Sequence, residues 1–467
     1  MAETMSHPNI AMPTFPYAQE KEDNLTDSRG NHGKLTFLFV WLFGFVLFCR
    51  PEDIYSAVGA LHLTLAFGVT AGVLCLRKVI LSRSRITMSR ELKLVLLLTA
   101  WFALGIPFAF YRHASFDLLT GPWFRTLLFF FLLTQTLTCV GRIRKILWVL
   151  VLSELISSAL SLLMQGNPLV MVGDRLAGIN KGLLGWNFLG ITLSANIPYI
   201  AFLYITRKSL WRTALLLAAL GSSMWMVVLT ASRGGFAGLV ISFLMTWWFV
   251  LRKSSRGRSA VAVMLVCLLI ASTKAPPVFW QRLETVWSDS AKADTSASAE
   301  ESTEGRLFLL RESLVVTLEN PVMGLGVNNF PYYTGSKIKG ENAWLGTHNL
   351  YTQISSEAGI PGLVLIILLF GTILRHAYAV SRETARSENQ DVHYLACASF
   401  VSGFVFCFQG FFAHLGYECL LYYIAAIVAA LGSIAQGPKR TDGNRSELSG
   451  LAGSRFHMRK FRNDSYV

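Results

Sequence analysis

The stretch NLYTQISSEAGIPGLVLIILLFGTIL, residues 349–374, carries one charged residue, Glu357, and ends against Arg375. A helix needs about 20 consecutive, largely apolar residues to cross the hydrocarbon core of a bilayer. This stretch supplies them, and its apolar half is continuous rather than spaced at one helical face. Working outward, comparable blocks occupy 35–49, 54–76, 92–111, 123–140, 145–164, 183–206, 210–231, 233–251 and 259–273, and then 394–412 and 415–436. The expected fold class is therefore all-α: a polytopic membrane protein of about twelve transmembrane helices.

Composition agrees. Of 467 residues, 53% are hydrophobic and only 15% are charged, and mean hydropathy is +0.45. A soluble domain carries about a quarter charged residues. The net charge of +14 raises nucleic acid as a partner, but the placement of the charges answers differently. Basic clusters follow every second span: Arg77 to Arg85, Arg142 to Lys145, Arg207 to Arg212, Arg252 to Arg258 and Arg375 to Arg386. That is the positive-inside pattern of a chain with both ends in the cytoplasm. The same charges suit anionic lipid headgroups, so no nucleic acid is called for. The seven cysteines, 49, 75, 139, 267, 397, 407 and 419, sit in or beside apolar spans without metal-ligand or disulfide-like spacing.

Three parts are expected: a disordered cytoplasmic tail at 1–33, a membrane domain at 34–436, and a basic disordered cytoplasmic tail at 437–467. Within the membrane domain one loop is long. It runs from Lys274 to Thr347, between the ninth and tenth spans, and the charge pattern puts it outside the cytoplasm. It is expected to be helical in part, with an amphipathic piece at Trp280–Trp287, a Ser/Ala/Glu-rich stretch at 288–304, a helix at Arg306–Leu318 and a turn region at Asn320–Phe330. A shorter outer loop lies near 165–182. There is no internal repeat, which counts against a secondary transporter built from two similar halves.

Four groups of residues could carry chemistry. Ser232-Arg233-Gly234-Gly235 lies where the eighth span starts. Gly234 and Gly238 make a Gly-x-x-x-Gly packing step. Equally, Ser232 can cap the helix and the glycines leave amides open beside Arg233, an anion site. Thr347-His348-Asn349 begins the tenth span at the same outer boundary; His348 reads either as a cap or as a reactive group. Gly305-Arg306, with Arg311, precedes a turn in which Gly324 and Gly326 permit close approach to a ligand or another backbone. Arg175-Leu-Ala-Gly178, with Asn187 downstream, occupies the other outer loop. Glu154 is an intramembrane carboxylate and so a functional candidate; His414 and Glu418 lie near the last outer turn. No paired-carboxylate, nucleotide, nicotinamide or zinc motif appears, so no cofactor and no metal is expected.

In order, spacing and topology these segments resemble the O-antigen ligase and O-antigen polymerase superfamily of bacterial envelopes. Arg175-x-x-Gly178 with Asn187 is similar to the family's Arg-x-x-Gly…Asn loop, although Trp186 stands where the family usually has Pro. Ser232-Arg-Gly matches its Ser-Arg-Gly motif. Gly305-Arg306…Asn320-Pro-Val-Met-Gly-Leu-Gly326…Phe330 resembles its loop motif, and His348-Asn-Leu-Tyr…Gln353…Glu357-Ala-Gly-Ile-Pro-Gly362 its histidine motif. The resemblance implies a membrane glycosyltransferase of the inner membrane, active on the periplasmic face. It moves a glycan from undecaprenyl diphosphate to the hydroxyl of a glycan, a lipid A-core or a protein. It implies an inverting, metal-independent reaction in which Arg233 and Arg306 stabilise the diphosphate and His348 acts as base. Arg175, Asn187, Ser232, Gly234, Arg311, Gly324, Gly326 and Asn349 would contact substrate. The rival from another class is a transporter or flippase of lipid-linked glycans, which predicts polar residues near mid-membrane such as Glu154.

Overall fold

A computed structural model describes residues 31–51, 56–82, 86–165, 171–172, 175–176, 185–206, 209–284, 303–338, 344–387 and 390–436. Residues 1–30 of the tail expected at 1–33, the tail expected at 437–467, the 288–302 stretch, and Ala177 and Gly178 lie outside the described residues; residues 31–33 belong to the first helix.

Helices dominate because a backbone in hydrocarbon must satisfy its own N–H and C=O groups. In chain order they are α1 (Asn31–Cys49), α2 (Leu63–Ser82), α3 (Arg90–Gly105), α4 (Arg112–Thr136), α5 (Val140–Leu163), α6 (Gly185–Thr206), α7 (Leu210–Leu229), α8 (Arg233–Leu251) and α9 (Gly257–Lys274). The long loop then contributes α10 (Pro277–Glu284), α11 (Thr303–Glu319) and α12 (Phe330–Lys337), before α13 (Leu350–Glu383), α14 (Gln390–Gln409) and α15 (Cys419–Ala435). The described strands are two residues each, β1 (Met171–Val172) and β2 (Arg175–Leu176), paired antiparallel with Val172 opposite Arg175. Ten helices among the described residues are long and apolar enough to cross a membrane, and α1 and α15 are shorter apolar helices. Together they fall at the twelve positions read from hydropathy. This is a multi-pass membrane protein.

Three boundaries differ most from the hydropathy reading. The second span begins at Leu63 rather than 54, because a short helical piece at Ser56–Gly59 is followed by a turn at 60–62 with His62 at φ 44°. The fourth begins at Arg112 rather than 123; Pro122 is absorbed by a π-helical turn at Leu119–Trp123 instead of ending the helix. The tenth continues past Leu374 to Glu383, since backbone hydrogen bonding does not stop where side chains turn polar.

The bundle packs around α15, whose residues from Leu420 to Gly432 are all buried. It lies against α4 and α13. α6 packs on α8 and α14, α13 on α3, α14 and α11, and α1 on α2 and α5. α9 is peripheral, with most of its length exposed.

α13 is broken at Gly359, which adopts φ 70° and ψ −177°, a conformation open in practice to glycine alone. Pro361 follows. The break leaves peptide groups inside an apolar bundle without helical partners, and the long loop satisfies them. Ile360 N–H donates to Pro321 O at 2.8 Å, and Leu325 N–H donates to Ser356 O at 2.8 Å. Phe110 N–H, from the α3–α4 connection, donates to Leu325 O at 2.7 Å. A Cβ on Gly359 would lie 2.0 Å from Val322 O. Gly359→Ala should therefore lower thermal stability in detergent or nanodiscs by about 1–3 kcal/mol or more. Gly371→Ala, later in α13 with nothing within 4 Å of the added Cβ, should be neutral or raise it. A thermal-shift comparison of the two checks this.

Candidate functional site

The start of α8 is built as a cap. Ala231 turns at φ 47°, and Ser232 Oγ accepts from Gly235 N–H at 3.1 Å. The glycines of this turn also pack closely. A Cβ on Gly234 would stand 2.7 Å from Phe412 Cβ, and one on Gly238 would stand 1.9 Å from Gln409 Nε2. Gly235 faces Gly190 of α6. The serine therefore caps, with the Gly235 amide as its partner, and the Gly-x-x-x-Gly step seats α8 against the end of α14. Arg233 is the first residue of the helix and is half-buried.

The start of α13 is built differently from expectation. Asn349, not His348, is the cap: its Oδ1 accepts from Tyr351 N–H at 2.9 Å and Thr352 N–H at 3.2 Å. His348 sits one residue outside at φ 51°, a left-handed conformation that is uncommon for a residue with a side chain. Capping is thus done by its neighbour. The His348 ring meets that of His414, with centroids 5.5 Å apart and planes at 73°.

The turn between α14 and α15 joins the two helix starts. Leu350 N–H donates to Gly410 O at 2.7 Å. Phe412 covers Gly234, and His414 lies over Gly346, whose added Cβ would be 2.8 Å from Cε1. Gly416 N–H donates to Gln353 Oε1 at 3.0 Å. The Ser232 and His348 motifs, far apart in sequence, therefore rest on the same nine-residue turn, 410–418.

Behind this turn lies a cavity of about 470 Å³, within the range of small-ligand sites, about 300–1,000 Å³. The end of α1 brings Arg50 to it and α4 brings Arg125. α5 and α6 contribute Glu154 and Asn196, and α13 contributes Gln353 and Glu357. The 410–418 turn adds His414, Tyr417 and Glu418. Arg233, Arg306 and His348 are not among the described residues lining it; His348 reaches its border through His414. Arg306 is half-buried in the first turns of α11, and Arg311 is exposed one and a half turns on. That helix is anchored to α13 by a 2.8 Å contact between Thr317 Oγ1 and Ser355 Oγ. Gly324 and Gly326 adopt φ 65° and 90°. Their close neighbours are protein: the Glu357–Ala358 peptide at 2.5 Å from a Cβ on Gly324, and Ala109 at 2.3 Å from one on Gly326. Arg175 lies in β2 and Asn187 in the first turn of α6; their side chains are outside the described residues.

The cavity mixes charges. Glu357 is held at both oxygens: Oε1 accepts from Phe330 N–H at 3.0 Å and Oε2 from Tyr417 OH at 2.5 Å. Burial, reinforced by Glu357, pushes the Tyr417 phenol well above its ordinary range, so it stays a donor. Burial likewise raises the Glu418 carboxyl to about 7, with Arg50 opposing the shift. Reading by motif missed Arg50, Arg125 and Tyr417. Arg125 carried a usable signal, a charge inside an apolar span; Arg50 and Tyr417 are recognisable only once the helices are assembled.

With this geometry in hand, known proteins can be compared. Residues 213–367 match the family model described as O-Antigen ligase. Over that segment the chain is similar to the O-antigen ligase family. The matched segment runs from α7 into α13 and holds the Ser232, Arg306 and His348 motifs; Arg175 and Asn187 precede it. An O-antigen ligase of Salmonella typhimurium is 23% identical over 244 residues, 48% of this chain and 56% of that protein. The chain thus spans about half the length of the curated relative it matches.

A carboxyl whose folded pKa is raised stabilises the fold at low pH, below the unfolded value, and loses that contribution as pH climbs to the folded value. For Glu418 the window is pH 4.5 to about 7. Stability should fall across it in the wild type and fall less in Glu418→Gln, which thermal denaturation at a series of pH values would register.

Proposed function

We propose that this protein transfers a glycan from an undecaprenyl-diphosphate carrier to an acceptor hydroxyl at the periplasmic face of the inner membrane. The acceptor is another glycan, lipid A-core or protein. The observation that carries this reading is the convergence of two helix starts on one turn beside a cavity. That turn presents the His348–His414 ring pair, and arginines lie in the cavity wall. Such a layout suits a large anionic leaving group and a hydroxyl nucleophile.

In the proposed step the acceptor O–H gives its proton to His348. Its oxygen forms a bond to the anomeric carbon, and the bond from that carbon to the carrier diphosphate breaks. The electron pair leaves with the diphosphate, and attack from the opposite side inverts the centre. Arg233 and Arg306 stabilise the diphosphate as charge develops, a role fixed cations fill well in a site of low dielectric. Arg50 and Arg125 add positive charge in the cavity wall. Arg175, Asn187 and Arg311 contact the substrate. Asn349 and Ser232 act by fixing the two helix starts, and Gly234, Gly324 and Gly326 by letting backbone and side chains close around them.

His348→Ala should abolish transfer of a diphosphate-linked glycan, by about 10²-fold or more, while the protein stays folded in the membrane. Arg233→Lys should also lose most activity, since one ammonium cannot replace bidentate guanidinium contact. The assay is release of carrier diphosphate that depends on added acceptor. Wild-type turnover in His348→Ala would rule out the base assignment.

A further inference from the structure

One wall of the cavity is not used by the step just described. On α5, Ser153, Glu154 and Ser157 line it; spacings of three and four residues put them on one helical face. On α6, Thr192 and Asn196 line it, also four apart. Across the gap Asn196 Nδ2 donates to Glu154 Oε2. Glu154 is only 8% exposed and Asn196 1%. Yet Glu154 Oε1, Asn196 Oδ1, Ser153 Oγ, Ser157 Oγ and Thr192 Oγ1 have no hydrogen-bond partner among the described residues. In folded proteins buried polar atoms are almost always paired. Five unpaired ones, all on residues that line the same cavity, are costly to the fold.

The chemistry of the wall narrows the ligand. It offers a carboxylate, an amide oxygen and hydroxyls, so it accepts hydrogen bonds and can also donate them. Neither helix contributes a cation to the cavity, so the wall does not suit phosphate. It does not suit a lipid tail either, which leaves every polar atom unsatisfied. A ring bearing several hydroxyls satisfies acceptors and donors together.

We propose that the α5–α6 wall, centred on Glu154 and Asn196, binds the sugar ring attached to the carrier diphosphate. The proposal rests on the carrier chemistry of the previous subsection. It adds an orientation: the diphosphate lies toward the arginines of α1 and α4, and the sugar hydroxyls lie toward α5 and α6. Glu154 and Asn196 are positioning residues here and take no part in the proton transfer.

The test uses full-length protein in nanodiscs and two probes: undecaprenyl diphosphate, and undecaprenyl diphosphate bearing one N-acetylhexosamine. The variants are Ser157→Ala with Thr192→Val, and Glu154→Gln. In the wild type the sugar-bearing probe should bind more tightly than the bare carrier. The double variant should lose about tenfold in affinity for the sugar-bearing probe, the effect of two hydrogen bonds. It should bind the bare carrier unchanged. Its melting temperature should hold or rise, because unpaired hydroxyls have been removed from the interior; a merely structural role for these hydroxyls predicts the opposite. Glu154→Gln should show the same selective loss. Equal loss for both probes, or no loss for either, overturns the sugar subsite. A wild type that binds neither probe overturns the carrier reading itself, a different result from either.

Discussion

A peptide group in the interior of a membrane protein needs a partner, and the break at Gly359 creates unmet demand for partners in the middle of the bundle. Much of the functional end of the molecule follows from how that demand is met. Pro321 and Leu325 reach in from the long loop to pair with Ile360 and Ser356. Leu325 in turn accepts from Phe110, which ties the α3–α4 connection to the same point. Because the docking is backbone to backbone, Gly324 and Gly326 have no room for side chains. The loop continues into Asn329, whose Oδ1 accepts from Tyr111 N–H at 2.6 Å and whose Nδ2 donates to Ser115 Oγ at 2.7 Å. Phe330 N–H then closes on Glu357. A segment that hydropathy alone would treat as a connection is thus part of the core, and it fixes where α13 begins to line the cavity.

The fold was readable because the bilayer imposes a simple rule. Long apolar blocks must be helices, and basic clusters mark alternate ends. The rule fails where hydropathy and hydrogen bonding part company. Arg112, His113 and Pro122 look like an end to the fourth span, but α4 runs through them, taking up the proline in a π turn. Past Leu374 the side chains become polar while the α13 ladder simply continues to Glu383. The site was readable in part for a related reason. Caps are local, so Ser232 at α8 could be placed from four residues. Asn349 rather than His348 caps α13 because its shorter side chain folds back onto Tyr351 and Thr352, a choice between adjacent polar residues that spacing does not make. Arg50, Arg125 and Tyr417 come from three distant parts of the chain, and no local pattern brings them together.

His348 acquires its distinctiveness from this division of labour. Its left-handed backbone is an energetic cost that the surrounding hydrogen bonds hold in place: Thr347 Oγ1 donates across it to Asn349 O at 2.9 Å, and Leu350 N–H is fixed to Gly410 O. A histidine needed only to start a helix would have no reason to sit outside the cap. Held as it is, the ring is free of the capping task and turned against His414, which does line the cavity. Strain at one residue, enforced by its two neighbours, is how a folded chain aims a side chain that the helix geometry alone would point elsewhere.

The same economy explains why the cavity mixes charge instead of concentrating one sign. A site of low dielectric lined by arginines alone would hold an anionic lipid too well to release it, since attraction between unit charges grows as the dielectric falls. Buried carboxyls at Glu154, Glu357 and Glu418 oppose that attraction when they are ionised. Glu357 is further committed to Tyr417 and to Phe330 of the docked loop. Any change in the charge of that cluster therefore acts on the loop as well as on the ligand. In this way the peptide-group constraint at Gly359 and the electrostatics of the cavity become one problem: the loop that repairs the broken helix is held, a few residues on, by a carboxyl that lines the cavity.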